Sequence, residues 1–81
     1  MPTVLRSNGF AVRIYPDDHL PPHVHVFRGG DSVKINLGTA EVRPWIERIV
    51  GMSDRDAVAA LQLVIAHRAQ LRRAWRRIHG N

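Results

Sequence analysis

Three of the chain's five histidines fall within seven positions, inside the stretch "DDHLPPHVHVFRGG" from Asp17 to Gly30. His23 and His25 lie two residues apart, so on an extended strand their imidazoles leave the same face, about 7 Å apart at the Cα atoms. Two imidazoles titrating near neutrality can act as general base and general acid on a phosphodiester. Lys34 or Arg13 would then be the cation that meets the developing negative charge. That chemistry uses His23, His25 and Lys34 as catalytic candidates and needs no metal and no cofactor. A second chemistry fits the same residues: an His-x-His pair with Asp18 or His19 as third ligand, most simply His19, His23 and His25, suits zinc or another first-row ion. A third reading has no chemistry in it. Pro21 and Pro22 fix the backbone entering the strand, and the histidines then form an ordinary solvated face or a protein-binding edge. Residue types and spacing leave all three open.

A second group of candidates lies near the C-terminus, in "HRAQLRRAWRRIHG". Arg72 and Arg76 share one helical face at i, i+4, and Arg73 and Arg77 share another. Either row suits a phosphate backbone, whether RNA or DNA, or an acidic protein. Part of the pattern also complements the negative end of the helix dipole. The whole chain carries a formal net charge of +5 and a sequence pI near 11.4, as expected for a protein with an anionic partner. Lys34 is the only lysine among the twelve Lys and Arg residues, and guanidinium is the group that pairs bidentately with phosphate or carboxylate. Arg13, Arg72, Arg73, Arg76 and Arg77 are therefore the candidate contacts to nucleic acid or partner. No helix-turn-helix, phosphate-binding glycine loop or nucleophile elbow is present.

These residues need elements to hold them. "NGFAVRIYP" alternates, with Phe10, Val12 and Ile14 on one side and Ala11, Arg13 and Tyr15 on the other. "HVHVFR" sets Val24 and Val26 opposite His23 and His25, and "DSVKINLG" sets Val33, Ile35 and Leu37 opposite Ser32, Lys34 and Asn36. Gly29-Gly30 and Asn8-Gly9 are turn signals. A short opening strand over Thr3–Arg6 and an edge segment over Ala40–Arg43 complete the expected sheet; Pro44 interrupts it, and Trp45 is expected to lie as a lid over the core. Ser53 reads as a helix N-cap, with Asp56 in the position of a capping box. Ala57, Leu61, Val64, Leu71, Trp75 and Ile78 then recur at steps of three and four, with Arg68 at the missing rung. The expected architecture is α+β: a three- or four-stranded antiparallel sheet packed by one long amphipathic helix from Asp54 to about Ile78. Such a helix would run roughly 37 Å over strands of about 20 Å, so its last turns must project, bend back or meet another subunit. The histidines should share the open sheet face with Arg13, Tyr15, Lys34 and Asn36, while Trp75 packs in the core.

The 81 residues are read as a single domain, 1–81, with a thin core. Cysteine is absent, which removes disulfides and thiolate ligands; with no signal-peptide pattern and no apolar run able to span a bilayer, a cytoplasmic protein without a membrane partner is expected. A domain this small without staples gains from association, so a homodimer is among the expected states.

The opening "MPTVLR", the segment "DHLPPHVHV" and the late "HRAQLRRAW" together resemble a small bacterial family of domains of unknown function, number forty-one sixty. The resemblance covers nearly the whole chain. Its most specific part is the Pro-Pro-His-x-His core, and the family's recurrent positions fall on Pro2, His19, Pro21, Pro22, His23, His25, Leu71 and Trp75. This chain departs from the pattern in its unusually basic last helix. The resemblance implies a member of a toxin–antitoxin or stress module that binds a cognate small protein from a neighbouring gene, nucleic acid, or both. A metal-independent ribonuclease built on the histidine pair is the alternative.

Overall fold

The computed structural model describes residues 3–80; Pro2, one of the positions carrying the resemblance, lies outside them. Five strands, β1 (Thr3–Ser7), β2 (Phe10–Arg13), β3 (His23–Arg28), β4 (Asp31–Asn36) and β5 (Trp45–Val50), precede two helices, α1 (Asp54–Ala66) and α2 (Arg68–His79). The sheet is an antiparallel meander in the order β1-β2-β3-β4-β5. Alternation in the sequence translates directly into its two faces. Val12, Val24, Val26 and Ile35 are fully buried under the helices, and Val33 nearly so. Lys34 and His25 are cross-strand partners on the other face. Asn8 and Gly9 both adopt positive φ, 53° and 82°, the type I′ geometry that matches strand twist.

The opening strand is present and one residue longer than expected. The edge segment over Ala40–Arg43 is not a strand: the Thr39 hydroxyl accepts from the Glu41 and Val42 N–H groups, and the Thr39 N–H donates to the Val42 carbonyl. These bonds curl the segment into a turn. The fifth strand instead follows Pro44, over Trp45–Val50. Its pairing shifts between Lys34 and Ile35, so that Ile35 faces Ile46 while Val33 faces Ile49. Trp45 is consequently a strand residue paired with Asn36 and 46% exposed, rather than a lid.

The single long helix is also corrected. A straight 25-residue helix would need roughly 37 Å, whereas the longest axis of the molecule is 32 Å. The chain breaks at His67, with φ −112° and ψ 20°. The His67 N–H is shared between the Leu63 and Val64 carbonyls, and its own Nδ1 donates to the Leu63 carbonyl at 3.0 Å. Arg68, the missing rung of the apolar stripe, directs Nε to the Leu37 carbonyl at 3.0 Å and ties the start of α2 to the end of β4. At the front of α1, Ser53 Oγ accepts from the Asp56 N–H, as a cap should. The reciprocal half of a capping box does not form, because the Asp56 carboxylate pairs with Arg28 of β3 at 3.1 Å.

The core joins Phe10, Ile14 and Leu37 of the sheet region to Ala57, Ala60, Leu63 and Val64 of α1 and to Leu71, Ala74 and Trp75 of α2. The turn after β4 is confined: Gly38 has φ 71°, and a Cβ there would collide with the Val42 carbonyl oxygen. Gly29, φ 59°, has open space where a Cβ would go. Gly29→Ala is therefore expected to cost about 1–2 kcal/mol, the left-handed backbone alone. Gly38→Ala should cost at least about 3 kcal/mol, because the carbonyl must also move. Urea unfolding of both variants measures this; equal losses would contradict the packing described for Gly38.

Candidate functional site

Between β2 and β3 the chain turns through Pro16–Pro22 and folds back over the polar sheet face. The Asp18 N–H donates to the Tyr15 carbonyl at 3.0 Å, and the Tyr15 N–H donates to Asp18 Oδ2 at 3.0 Å. This reciprocal pair fixes the carboxylate over the first residues of β3. The Leu20–Pro21 peptide is cis. The Pro22 carbonyl accepts from the Leu37 N–H, which extends the β3–β4 ladder by one bond and anchors the start of β3.

His23 and His25 converge on Asp18. His23 Nε2 lies 3.5 Å from Asp18 Oδ2, His25 Nε2 lies 3.3 Å from the same oxygen, and the two imidazole centroids are 5.1 Å apart. The Nδ1 of His23 is 2.9 Å from the Pro21 carbonyl oxygen. A carbonyl can only accept, so Nδ1 carries a proton and Nε2 is the ring nitrogen turned toward Asp18. His25 packs edge-on to the Tyr15 ring, with centroids 5.1 Å apart.

The expectation that both imidazoles stand on an open face holds only for His25. His23 is 4% exposed, because α2 brings Trp75 against it, with centroids 5.3 Å apart. Trp75 stacks in turn on His79 at 3.8 Å, and at 1% exposure it is a core residue, as its place on the apolar stripe implied. His19 is exposed. It borders the same cleft but stays outside the cluster of ligand-capable atoms, which joins Asp18, His23 and His25.

Burial would raise the Asp18 carboxyl, but the Tyr15 N–H and the charges of His25 and His23 outweigh it and hold the group below the ordinary aspartate value. For His25, burial dominates the attraction of Asp18, and its imidazole sits below the ordinary histidine value. Lys34 is beside them, but its Nζ is 3.0 Å from Glu47 Oε2. Glu47 also accepts from the buried Asn36 amide at 2.7 Å. The hydrogen bonds from Lys34 and Asn36 hold the exposed Glu47 carboxyl below its usual range. Asp18, His23, His25, Lys34 and Glu47, with His19 at the border, wall a cleft of about 340 Å³. Glu47 is a member that sequence reasoning did not find, since no strand was expected there. Arg13 pairs with His25 across the ladder, yet its guanidinium lies over the Phe27 ring at 4.4 Å rather than at the imidazoles.

The basic helix divides. Arg72 and Arg76, with Pro22 and Trp75, line a second cleft of about 240 Å³; Arg73 and Arg77 are exposed elsewhere on α2. The Pro-Pro segment thus borders both clefts, with Pro21 on the histidine side and Pro22 beside the arginines.

The model of the family described as Domain of unknown function (DUF4160) matches residues 9–76. The chain belongs to the DUF4160 family. The match takes in the histidine segment and both arginines of the second cleft, and begins after the Met-Pro-Thr opening. No curated protein and no solved structure matches the chain. Among the described residues, no helix is long and apolar enough to cross a membrane.

The geometry separates the two histidines by their structural weight. His23→Ala removes a buried ring, its bond to Pro21 and its contact with Trp75, and is expected to lower stability by about 1–3 kcal/mol. His25→Ala, at a partly exposed ring, should cost less than about 1 kcal/mol. Chemical denaturation in the presence of a chelator tests this; a reversed order would contradict the burial assigned to His23.

Proposed function

We propose that this DUF4160 chain is the basic binding member of a toxin–antitoxin or stress module, and that α2 docks on the phosphate backbone of RNA or DNA. One observation carries the reading. Arg72, Arg73, Arg76 and Arg77 stand on a helix with no acidic residue, and among the described residues the ion pairs engage Arg28, Lys34 and the two cleft histidines but none of these four. Positive charge left uncompensated on one helix attracts a polyanion. Arg72 and Arg76 beside Pro22 offer two guanidinium forks at one recess, the arrangement suited to bidentate phosphate contacts. The cognate small protein of the neighbouring gene is a further partner of the module, and an acidic surface on it would compete for the same face.

The ribonuclease reading is less well supported. His23 is buried with Nδ1 committed to Pro21, and the Lys34 ammonium is committed to Glu47, so the acid–base pair lacks a free cation of its own.

Titration with mixed-sequence RNA and duplex DNA at two or more salt concentrations tests the proposal. Binding should weaken as salt rises, with about 0.9 of slope in log K against log salt per phosphate contact on duplex, or about 0.7 on a single strand. The Arg72→Ala/Arg76→Ala double variant should flatten that slope by about one to two units while keeping its far-ultraviolet dichroism. Absence of binding at low salt, together with co-elution of the neighbouring gene product on size exclusion, would replace nucleic acid by protein as the partner. RNA cleavage in excess chelator that disappears in His25→Ala would move the assignment to the ribonuclease.

A further inference from the structure

We propose that Asp18, His23 and His25 form a binding site for a divalent first-row transition ion of the zinc class, independently of any nucleic-acid binding by α2. Ligands bound at about 2.0–2.1 Å in a tetrahedron stand about 3.3 Å from one another. The structure places His25 Nε2 3.3 Å and His23 Nε2 3.5 Å from Asp18 Oδ2, and the three ligand atoms all lie within 4.8 Å of each other.

The surroundings are those of a metal site rather than of a chance cluster. Each ring that binds a metal through one nitrogen is ordinarily oriented by a hydrogen bond from the other. His23 has that bond, from Nδ1 to the Pro21 carbonyl at 2.9 Å, and it leaves Nε2 facing a carboxylate oxygen. A proton on Nε2 or a metal ion can lie between that nitrogen and the carboxylate oxygen 3.5 Å away; of the two, only a metal ion can join both imidazoles to the one carboxylate at once. The carboxylate is oriented too, by the Tyr15 N–H on Oδ2. His23 is buried against Trp75, so its ring is held from the helix side as well as by Pro21.

Three protein ligands leave a fourth position, the pattern of sites that keep water or a substrate atom on the metal. Here that position would give on the cleft bordered by His19, Lys34 and Glu47. The ligand class suited to it is water or a small anion held by the ion itself, since the Lys34 ammonium at the cleft wall is paired with Glu47. The choice of hard carboxylate with two imidazoles, and no thiolate in the chain, favours zinc, cobalt or nickel over copper(I).

The test uses the full chain without a histidine tag, stripped by chelator and titrated with Zn²⁺ or Co²⁺ alone. One ion per chain, a visible spectrum of tetrahedral Co²⁺, and a rise in melting temperature on loading are expected. Asp18→Asn and His25→Ala, both at partly exposed positions, should lose at least about tenfold in affinity while remaining folded by circular dichroism. His19→Ala should bind within about twofold of the parent. No saturable binding, binding unchanged in Asp18→Asn and His25→Ala, or binding abolished by His19→Ala alone would each overturn the assignment. The readout is metal affinity, so failure of nucleic-acid binding leaves it standing.

Discussion

A helical segment of two successive helices, 13 and 12 residues, must cover strands of four to six residues, and the hydrogen bond from Arg68 Nε to the Leu37 carbonyl marks how that mismatch is resolved. Run straight, the last turns would leave the sheet with Leu71 and Trp75 uncovered, each of which buries roughly 1.5–3 kcal/mol of apolar surface or more. The break at His67 lets α2 return over the start of β3. Arg68 satisfies a carbonyl just past the end of β4, where the ladder has run out of partners. From that one turn follow the contact of Trp75 with His23, the burial of an otherwise polar position, and the approach of Arg72 and Arg76 to Pro22.

The same segment that receives α2 also builds the histidine cleft. Pro21 holds the His23 tautomer through its carbonyl, and Pro22 holds β3 to β4 through its own. Neither proline has an N–H to satisfy, so a short non-strand segment can lie against the sheet without orphaned donors. His23 thereby serves two masters: its ring packs on Trp75 from the helix side, and its Nε2 faces Asp18. A change in the seating of α2 and a change in what binds at Asp18 are felt by one imidazole.

Much of this was legible in the sequence, because β2, β3 and β4 obey a period of two, and the turns before β2 and between β3 and β4 carry Asn-Gly and Gly-Gly. β5 was not. In "WIERIV" the register shift opposite Lys34 and Ile35 puts Ile46 and Ile49 on the same face despite their odd spacing, so a strict alternation test fails. Glu47 was lost with it, and so was the partner that occupies Lys34. The break at His67 leaves almost no trace in composition, since the apolar steps of three and four continue across it. What betrays it is length set against the sheet. At the site, His23 and His25 were fixed by spacing. The third member was left between Asp18 and His19, because neighbouring loop residues point by backbone path rather than by period. The hydrogen bond from the Tyr15 N–H back to Asp18 Oδ2, with the Asp18 N–H returned to the Tyr15 carbonyl, decides it by fixing the carboxylate over β3.

The arginines of α2 can be weighed against helix stability itself. Like charges at i, i+4 oppose a helix by about 0.2–0.5 kcal/mol per pair, and α2 has three such pairs, Arg68 with Arg72, Arg72 with Arg76 and Arg73 with Arg77, without a carboxylate side chain on the helix to offset them. The dipole compensates within the last turn only. That turn holds Arg76, Arg77 and His79, whose charge also lies near the exposed carbonyls before Gly80. Arg72 and Arg73 lie a turn earlier, where the dipole has little reach. Helix formation therefore accounts for the later arginines and not for the earlier ones. Of those two, Arg72 is the half-buried one, held beside Pro22 and Trp75 at the recess. A cation kept partly out of water with no ion-pair partner among the described residues is a cost that folding does not recover, and an incoming anion would.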